Sequence, residues 1–172
     1  MKKYFFFLLF SLLTTVVFAQ QVPSADQILK EARAQAAKEN KNVMVIFHAS
    51  WCGWCHKMDT SLNDPSVRSF FDKNYVITHL TISESEPNKR LENPGAEKLN
   101  EKWGGKDHGI PFWVVMDKDG KILADSQSQP GKNVGCPATA EEVAHFITVL
   151  KKTSSINAEE IAAVEKRFRR NE

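Results

Sequence analysis

Two cysteines three residues apart, close behind an apolar run, constrain this chain more than any other feature. The run Val43 to Phe47 is typical of a buried strand, and the polar segment after the cysteines has helical character. Cys52 therefore falls at the start of a helix and Cys55 one turn inside it, so the two thiols can close a small disulfide. Unpaired backbone N–H groups and the positive end of the helix dipole favour a thiolate at Cys52. We expect Cys52 to be the nucleophile and Cys55 the resolving thiol.

The residues around the pair resemble a known active site. The stretch Val43 to Met58 is similar to the thioredoxin superfamily, whose redox centre lies between its first central strand and the helix after it. Trp51 directly before the first cysteine and Gly53 inside the pair match the family's pattern. The resemblance is to secreted or periplasmic thioredoxin-like proteins and covers about residues 24–152.

A second landmark lies downstream. Gly109-Ile110-Pro111, followed by the apolar run Phe112 to Met116, resembles the family's cis-proline loop, which lies against the dithiol. The resemblance implies that the Ile110–Pro111 bond is cis, although most X-Pro bonds are trans. Both landmarks in this order are far more specific than a lone Cys-x-x-Cys. Together they imply that the substrate groove is lined by Trp51, Gly53, Trp54, Ile110 and Pro111.

The resemblance also implies a fold and a function. The expected fold class is α/β, a thioredoxin fold with a central mixed sheet flanked by helices, extended by a C-terminal helix in residues 153–172. The expected activity is that of a thiol–disulfide oxidoreductase, which reduces or exchanges protein disulfides through the Cys52/Cys55 dithiol without a cofactor or metal. The expected partners are disulfide-containing proteins and a membrane or periplasmic electron donor, with the protein itself a monomer.

The N-terminal residues 1–19 predict a cleaved secretory signal peptide. Lys2 and Lys3 precede the apolar run Tyr4 to Leu13. Val17-Phe18-Ala19 has small residues at the positions that a signal peptidase recognises before its cleavage site. An uncleaved anchor is the alternative, but the apolar stretch is short for a membrane span. We therefore expect a periplasmic or secreted protein.

Charge and cysteine counts narrow the possible partners. The chain has 23 basic and 21 acidic side chains, and loss of Lys2 and Lys3 with the signal leaves 21 of each. A neutral protein without a basic run in its core domain gives no electrostatic reason to expect nucleic acid. Because the chain has three cysteines, pairing two of them leaves Cys136 as a free or intermolecular thiol.

Hydrophobic periodicity and capping residues give the remaining elements. Ser24, Thr139 and Asn157 are predicted to cap helices. A further helix is expected to start at Pro65, and Gln127 to Pro137 to form a loop. The remaining predicted elements are strands at 75–82, 112–116 and 121–125 and a helix at 94–103. The polar segment 83–109 looks longer than in a minimal thioredoxin and is a candidate for partner selection.

Other chemistries fit the same residues. Cys52 to His56 also reads Cys-x-x-Cys-His, the attachment signature of a c-type haem. A zinc site would have to recruit Cys136 or His108 from distant loops. A redox-silent thioredoxin-like binding module is the third alternative. Trp51 and Trp54 could also be plain core residues instead of groove residues.

Two departures from the family pattern affect the redox potential. Many thioredoxins carry a buried acid on the strand before the motif, where this chain has Ile46. The family's frequent proline before the second cysteine is Trp54 here, which adds a backbone N–H near Cys52. An extra donor and the lack of an opposing carboxylate would both stabilise the thiolate. They predict a couple more oxidising than that of thioredoxin, which lies near about −270 mV.

Overall fold

A four-stranded mixed sheet forms the centre of the protein. The computed structural model describes residues 21–172, so the expected signal peptide, residues 1–19, lies outside the described residues. The strand order is β2-β1-β3-β4; β1 and β2 are parallel, and the other two pairs are antiparallel. The strands are β1 (Asn42–His48), β2 (Tyr75–Thr81), β3 (Phe112–Met116) and β4 (Ile122–Asp125). The expected thioredoxin architecture with a mixed central sheet is confirmed.

Helices cover both faces of this sheet. Helices α1 and α4 lie on one face, and α2, α3, α5 and α6 contribute to the apolar layer on the other. Within residues 21–172, no helix is long and apolar enough to cross a membrane. The helices are α1 (Ala25–Glu39), α2 (Gly53–Leu62), α3 (Arg68–Asn74), α4 (Ala96–Lys102), α5 (Ala140–Thr153) and α6 (Ala158–Phe168). Two short 3₁₀ helices complete the described elements: Glu86–Leu91 lies between β2 and α4, and Arg169–Asn171 follows α6.

The covering of both faces explains the continuous apolar run in β1. Val43, Val45 and Phe47 face the layer under α1, whereas Met44 and Ile46 face the opposite layer. All five side chains are at most 1% exposed. A strand with two buried faces lacks the apolar–polar alternation of a half-exposed strand.

The predicted helix caps are confirmed. The Ser24 side chain accepts a hydrogen bond from the Gln27 backbone N–H at the start of α1. Thr139 and Asn157 form reciprocal capping boxes with the glutamates three residues later. Each cap satisfies backbone donors that the first helical turn leaves unpaired.

The C-terminal helix α6 packs into the main apolar layer. Phe168 is fully buried and lies 4.9 Å, between ring centroids, from Phe146 of α5. Beyond it, the Asn171 backbone oxygen accepts a hydrogen bond from Lys57 Nζ at 3.0 Å, and its side chain bonds to Ser61 Oγ. Because Lys57 and Ser61 belong to α2, the chain terminus anchors the helix that carries the cysteines.

Two predictions need correction, the start of one helix and the structure of one loop. The helix expected from Pro65 starts at Arg68, because the Asp64 carboxylate accepts from both Ser66 N–H and Ser66 Oγ and holds a turn ahead of the helix. The loop predicted for 127–137 contains a hairpin of β5 (Gln127–Gln129) and β6 (Lys132–Asn133). Strands of two or three residues are too short to show a periodic pattern.

Candidate active site

The two motif cysteines lie where β1 passes into α2 and form a disulfide. Cys52 is the N-cap of α2 and Cys55 lies in its first turn. The Cys55 backbone N–H donates to Cys52 Sγ at 3.1 Å. This donor and the helix dipole both stabilise negative charge on Cys52 once the disulfide is reduced. Both cysteines are at most 3% exposed, in a small apolar cluster with Ala49 and Ile110.

The loop before β3 lies against this disulfide. The Ile110–Pro111 peptide bond is cis, so that prediction is confirmed. The Ile110 carbonyl oxygen is 3.6 Å from Cys52 Sγ. Asn133 of β6 supports the loop, since its Nδ2 donates to the carbonyl oxygens of Gly109 and Pro111 at 3.1 Å each. The short hairpin that sequence analysis missed therefore positions the cis-proline loop.

Two tryptophans flank the disulfide at the surface. The Trp51 side chain is 59% exposed and that of Trp54 is 49% exposed, so neither is a core residue. Trp51 Nε1 donates to the Ser83 carbonyl at 2.9 Å. Lys57 Nζ lies 4.3 Å from the centroid of the Trp54 ring, a cation–π contact. Both rings present apolar surface beside the thiols, as a groove for polypeptide requires.

Sequence analysis missed Glu84, which binds the loop ahead of the cysteines. Its carboxylate is 4% exposed and accepts from Ser50 N–H at 2.6 Å and from Ser50 Oγ at 2.7 Å. It is the one buried carboxylate among residues 21–172. With the Trp51–Ser83 bond, it fixes residues 50 and 51 to the start of the insertion segment, defined as residues 83–109. No local pattern could have revealed it, because its partner lies 34 residues away.

Two contacts bear on the expected oxidising couple, which stays a prediction. The donor on Cys52 Sγ is the Cys55 N–H, and no hydrogen bond joins the Trp54 N–H to that sulfur. Ile46 lies in the core as predicted, whereas the carboxylate of Glu84 binds Ser50, two residues before Cys52. A negative charge there opposes a thiolate at Cys52.

The histidines near the site have structural partners. His56 Nε2 lies 2.9 Å from the Ser50 carbonyl oxygen, and because a carbonyl only accepts, Nε2 carries the proton. His79 of β2 contacts Asp59 of α2 at 2.8 Å. Burial, followed by the neighbouring His79, lowers the pKa of His48. Within the described residues, no group of three or more histidine, cysteine or acidic side chains could hold a metal ion.

Two cavities open beside the cysteines. The larger, of about 520 Å³, lies between the active-site loop and the insertion segment, and we call it the insertion groove. It is lined by Trp51, Cys52, Gly53, Trp54, Ile82, Ser83, Glu97, Asn100, Gly105, Lys106, Asp107, Gly109 and Ile110. The smaller cavity, of about 210 Å³, includes Trp54, Pro111 and Cys136. All five residues predicted to line a substrate groove therefore lie at one or both cavities.

Cys136 is a free, buried thiol at 5% exposure. Burial raises the pKa of Cys136 to about 12. Its sulfur accepts a hydrogen bond from Asn171 Nδ2 at 3.4 Å. Its surroundings therefore suppress the thiolate form, in contrast to those of Cys52.

A disulfide between cysteines three apart at a helix start, beside a cis-proline in a thioredoxin fold, defines the class of thioredoxin-like disulfide oxidoreductases. A family model described as thioredoxin-like matches residues 25–118, more than half of the chain. The chain belongs to this thioredoxin-like family.

The chain is similar to several solved structures. A disulphide isomerase from Xylella fastidiosa Temecula1 is 17% identical with a TM-score of 0.51, and the alignment covers 91% of this chain and 97% of that one. A DsbH oxidoreductase is 24% identical, with a TM-score of 0.43 and coverages of 76% and 84%. The C-terminal domain of DsbD from Neisseria meningitidis is 26% identical, with a TM-score of 0.41 and coverages of 60% and 84%. The first of these shows the shared fold over nearly the whole of both chains.

Proposed function

We propose that this protein is an exported thiol–disulfide oxidoreductase that acts on disulfides in other proteins through Cys52 and Cys55. The observation that carries the proposal is the position of Cys52. Its sulfur lies at the N-cap of α2, accepts the Cys55 N–H at 3.1 Å and borders the insertion groove. These features provide a stabilised thiolate, a neighbouring resolving thiol and space for a substrate chain.

The reaction starts from the reduced protein. The Cys52 thiolate attacks one sulfur of the substrate disulfide, a Cys52–substrate disulfide forms, and the other substrate sulfur leaves as a thiolate that takes up a proton. Cys55 then loses its proton and attacks Cys52 Sγ, which releases the second substrate thiol. The substrate gains two electrons and the protein is left with the Cys52–Cys55 disulfide. A dithiol of a membrane or periplasmic donor protein would restore the reduced protein.

Stoichiometric reduction of a disulfide, one per protein molecule, tests this activity. The full chain, reduced and freed of reductant, should release thiols from 2-hydroxyethyl disulfide and from insulin. Cys52→Ser should abolish the release, whereas the matched control Cys136→Ser should retain it. If the folded wild-type protein released no thiol from either substrate, the redox-silent binding module would be the correct interpretation. A haem absorption band in the purified protein would instead favour the Cys-x-x-Cys-His alternative.

Export is a separate part of the proposal and has its own test. It is supported by the basic and apolar pattern of residues 1–19. When the chain is produced in a bacterium, the N-terminal sequence of the periplasmic protein should begin at Gln20. A protein found in the cytoplasm with residues 1–19 intact would contradict export and leave the dithiol chemistry untouched.

A further inference from the structure

The C-terminal 3₁₀ helix, Arg169–Asn171, contacts the helix that carries the cysteines, and the proposed reaction does not use it. Asn171 is 5% exposed. Its Nδ2 donates to Ser61 Oγ of α2 at 3.0 Å and to the Pro137 carbonyl oxygen at 3.1 Å. Its Oδ1 accepts from Arg167 Nη1 of α6 at 3.2 Å. Because partners on three segments hold this buried amide, the position of the Asn171 backbone carbonyl is fixed as well.

Lys57 of α2 joins this fixed carbonyl to a groove residue. Its Nζ donates to the Asn171 carbonyl oxygen at 3.0 Å and lies 4.3 Å from the centroid of the Trp54 ring. Trp54 and Lys57 are three residues apart on the helix, so their side chains are neighbours on its surface. The ammonium group is therefore held between the carbonyl and the indole, and the cation–π contact restrains the ring.

Trp54 lines both cavities beside the cysteines, the insertion groove and the smaller cavity. Its side chain is 49% exposed, and its Nε1 has no hydrogen-bond partner among the described residues, whereas Trp51 Nε1 donates to Ser83. An exposed indole without a polar anchor would sample several rotamers, which a substrate would have to restrict on binding. The contact with Lys57 restricts the ring before the substrate arrives and thereby lowers this entropic cost.

We propose that Lys57 and Asn171 are positioning residues for polypeptide substrates: Asn171 holds Lys57, and Lys57 holds the Trp54 ring in the orientation that a substrate packs against. The proposal rests on the proposed function and assigns to it two residues outside the redox motif. A polypeptide that covers Trp54 while its disulfide lies at Cys52 gains from the restrained ring. A small disulfide that reaches only the Cys52 sulfur does not.

Paired rate constants separate this role from a change in thiol reactivity. The pre-reduced full-length protein is mixed with excess insulin or excess 2-hydroxyethyl disulfide, and the second-order rate constant for oxidation of the dithiol is measured by acid quench. Lys57→Met keeps an unbranched apolar side chain and removes the charge. We expect it to lower the rate constant for insulin about fivefold. The rate constant for 2-hydroxyethyl disulfide should stay within about twofold, whereas loss of a charge that stabilised the Cys52 thiolate would lower both.

A second variant tests the contribution of the 3₁₀ helix. Asn171→Ala leaves Lys57 and the groove residues in place, and should lower the rate constant for insulin in the same way as Lys57→Met. Because both residues act through the same ring, the double variant should lose no more than either single variant. In a proton–nitrogen correlation spectrum, the indole resonance of Trp54 should shift in both single variants.

Two matched variants are the controls. Lys57→Arg keeps a cation for the ring and a donor for the carbonyl, and its rate constant for insulin should lie within about twofold of the wild type. Lys73→Met removes one charge from an exposed position of α3 and should leave both rate constants unchanged.

Three results would overturn the proposal: equal rate constants for insulin in the wild type and Lys57→Met, an equal loss for both substrates, or additive losses in the double variant. If Asn171→Ala does not fold, as judged by circular dichroism, the comparison of Lys57→Met with Lys57→Arg still decides. Failure of the wild type to reduce 2-hydroxyethyl disulfide would instead overturn the proposed function.

Discussion

Replacing Glu84 by glutamine should raise the reduction potential of the Cys52/Cys55 couple. The amide has nearly the shape of the carboxylate, so its oxygen can still accept from Ser50 N–H and its NH₂ can donate to Ser50 Oγ. The substitution therefore keeps the anchor of the active-site loop and removes its negative charge. Loss of that charge stabilises the Cys52 thiolate and hence the reduced state.

The size of the effect follows from the spacing along the chain. The carboxylate contacts the Ser50 backbone, two residues before Cys52, which places the charge about 9 Å from the sulfur. At an effective dielectric constant of about 20, two unit charges at that separation interact by about 2 kcal/mol. For a two-electron couple, this corresponds to an upward shift of about 40 mV.

Redox titration against glutathione, followed by tryptophan fluorescence, measures the shift. Glu86→Gln provides the matched control, because it removes an exposed acid of the insertion segment that makes no hydrogen bond or ion pair to the active-site loop. We expect the control to change the potential by less than about 10 mV. A Glu84→Gln potential equal to or below that of the wild type would refute the assigned charge effect.

Three further predictions concern stability and thiol reactivity. Glu84→Ala, unlike Glu84→Gln, leaves Ser50 N–H and Oγ–H without their acceptor and should lower the free energy of unfolding by about 3 kcal/mol in a urea titration; an unchanged midpoint would contradict the anchor. Phe168→Ala should cost about 4 kcal/mol, whereas Leu91→Ala at a 39% exposed site should cost less than about 1 kcal/mol. Because the pKa of Cys136 is raised to about 12, roughly one thiol in ten thousand is ionised at pH 8, so iodoacetamide should modify the folded, oxidised protein far more slowly than the urea-unfolded one; equal rates would contradict the burial.

The elements that the sequence predicted are those governed by neighbouring residues. Capping by Ser24, Thr139 and Asn157 depends on partners three residues away, and each cap occurs as expected. The buried run of β1 is recognisable because both of its faces are covered. The predicted start at Pro65 failed because the Asp64 side chain binds Ser66 and forms a turn before the helix.

The missing parts of the site depend on contacts between distant segments. Glu84 reaches Ser50 across 34 positions, and Asn133 supports the cis-proline loop across more than 20. Neither residue belongs to a motif, and an exposed glutamate or asparagine would give the same local sequence signal. The groove residues Trp51 and Trp54 could be recognised because they lie beside the cysteines in the chain. The wall that the insertion segment adds to the insertion groove could not be recognised, since it forms only when α4 and the 104–107 turn fold towards the disulfide.

The division of labour between the two cysteines is the central claim, and trapping of mixed disulfides tests it most directly. Reduced Cys55→Ser and Cys52→Ser variants of the full-length protein are incubated with native insulin, whose disulfides are intact. The mixtures are quenched with acid and separated on a non-reducing gel. We expect Cys55→Ser to accumulate a covalent complex, because Cys52 attacks and no second thiol resolves the product. We expect Cys52→Ser to form little complex, because Cys55 lacks the N-cap position and, unlike Cys52, does not line the insertion groove. Equal trapping by the two variants, or stronger trapping by Cys52→Ser, would contradict the account.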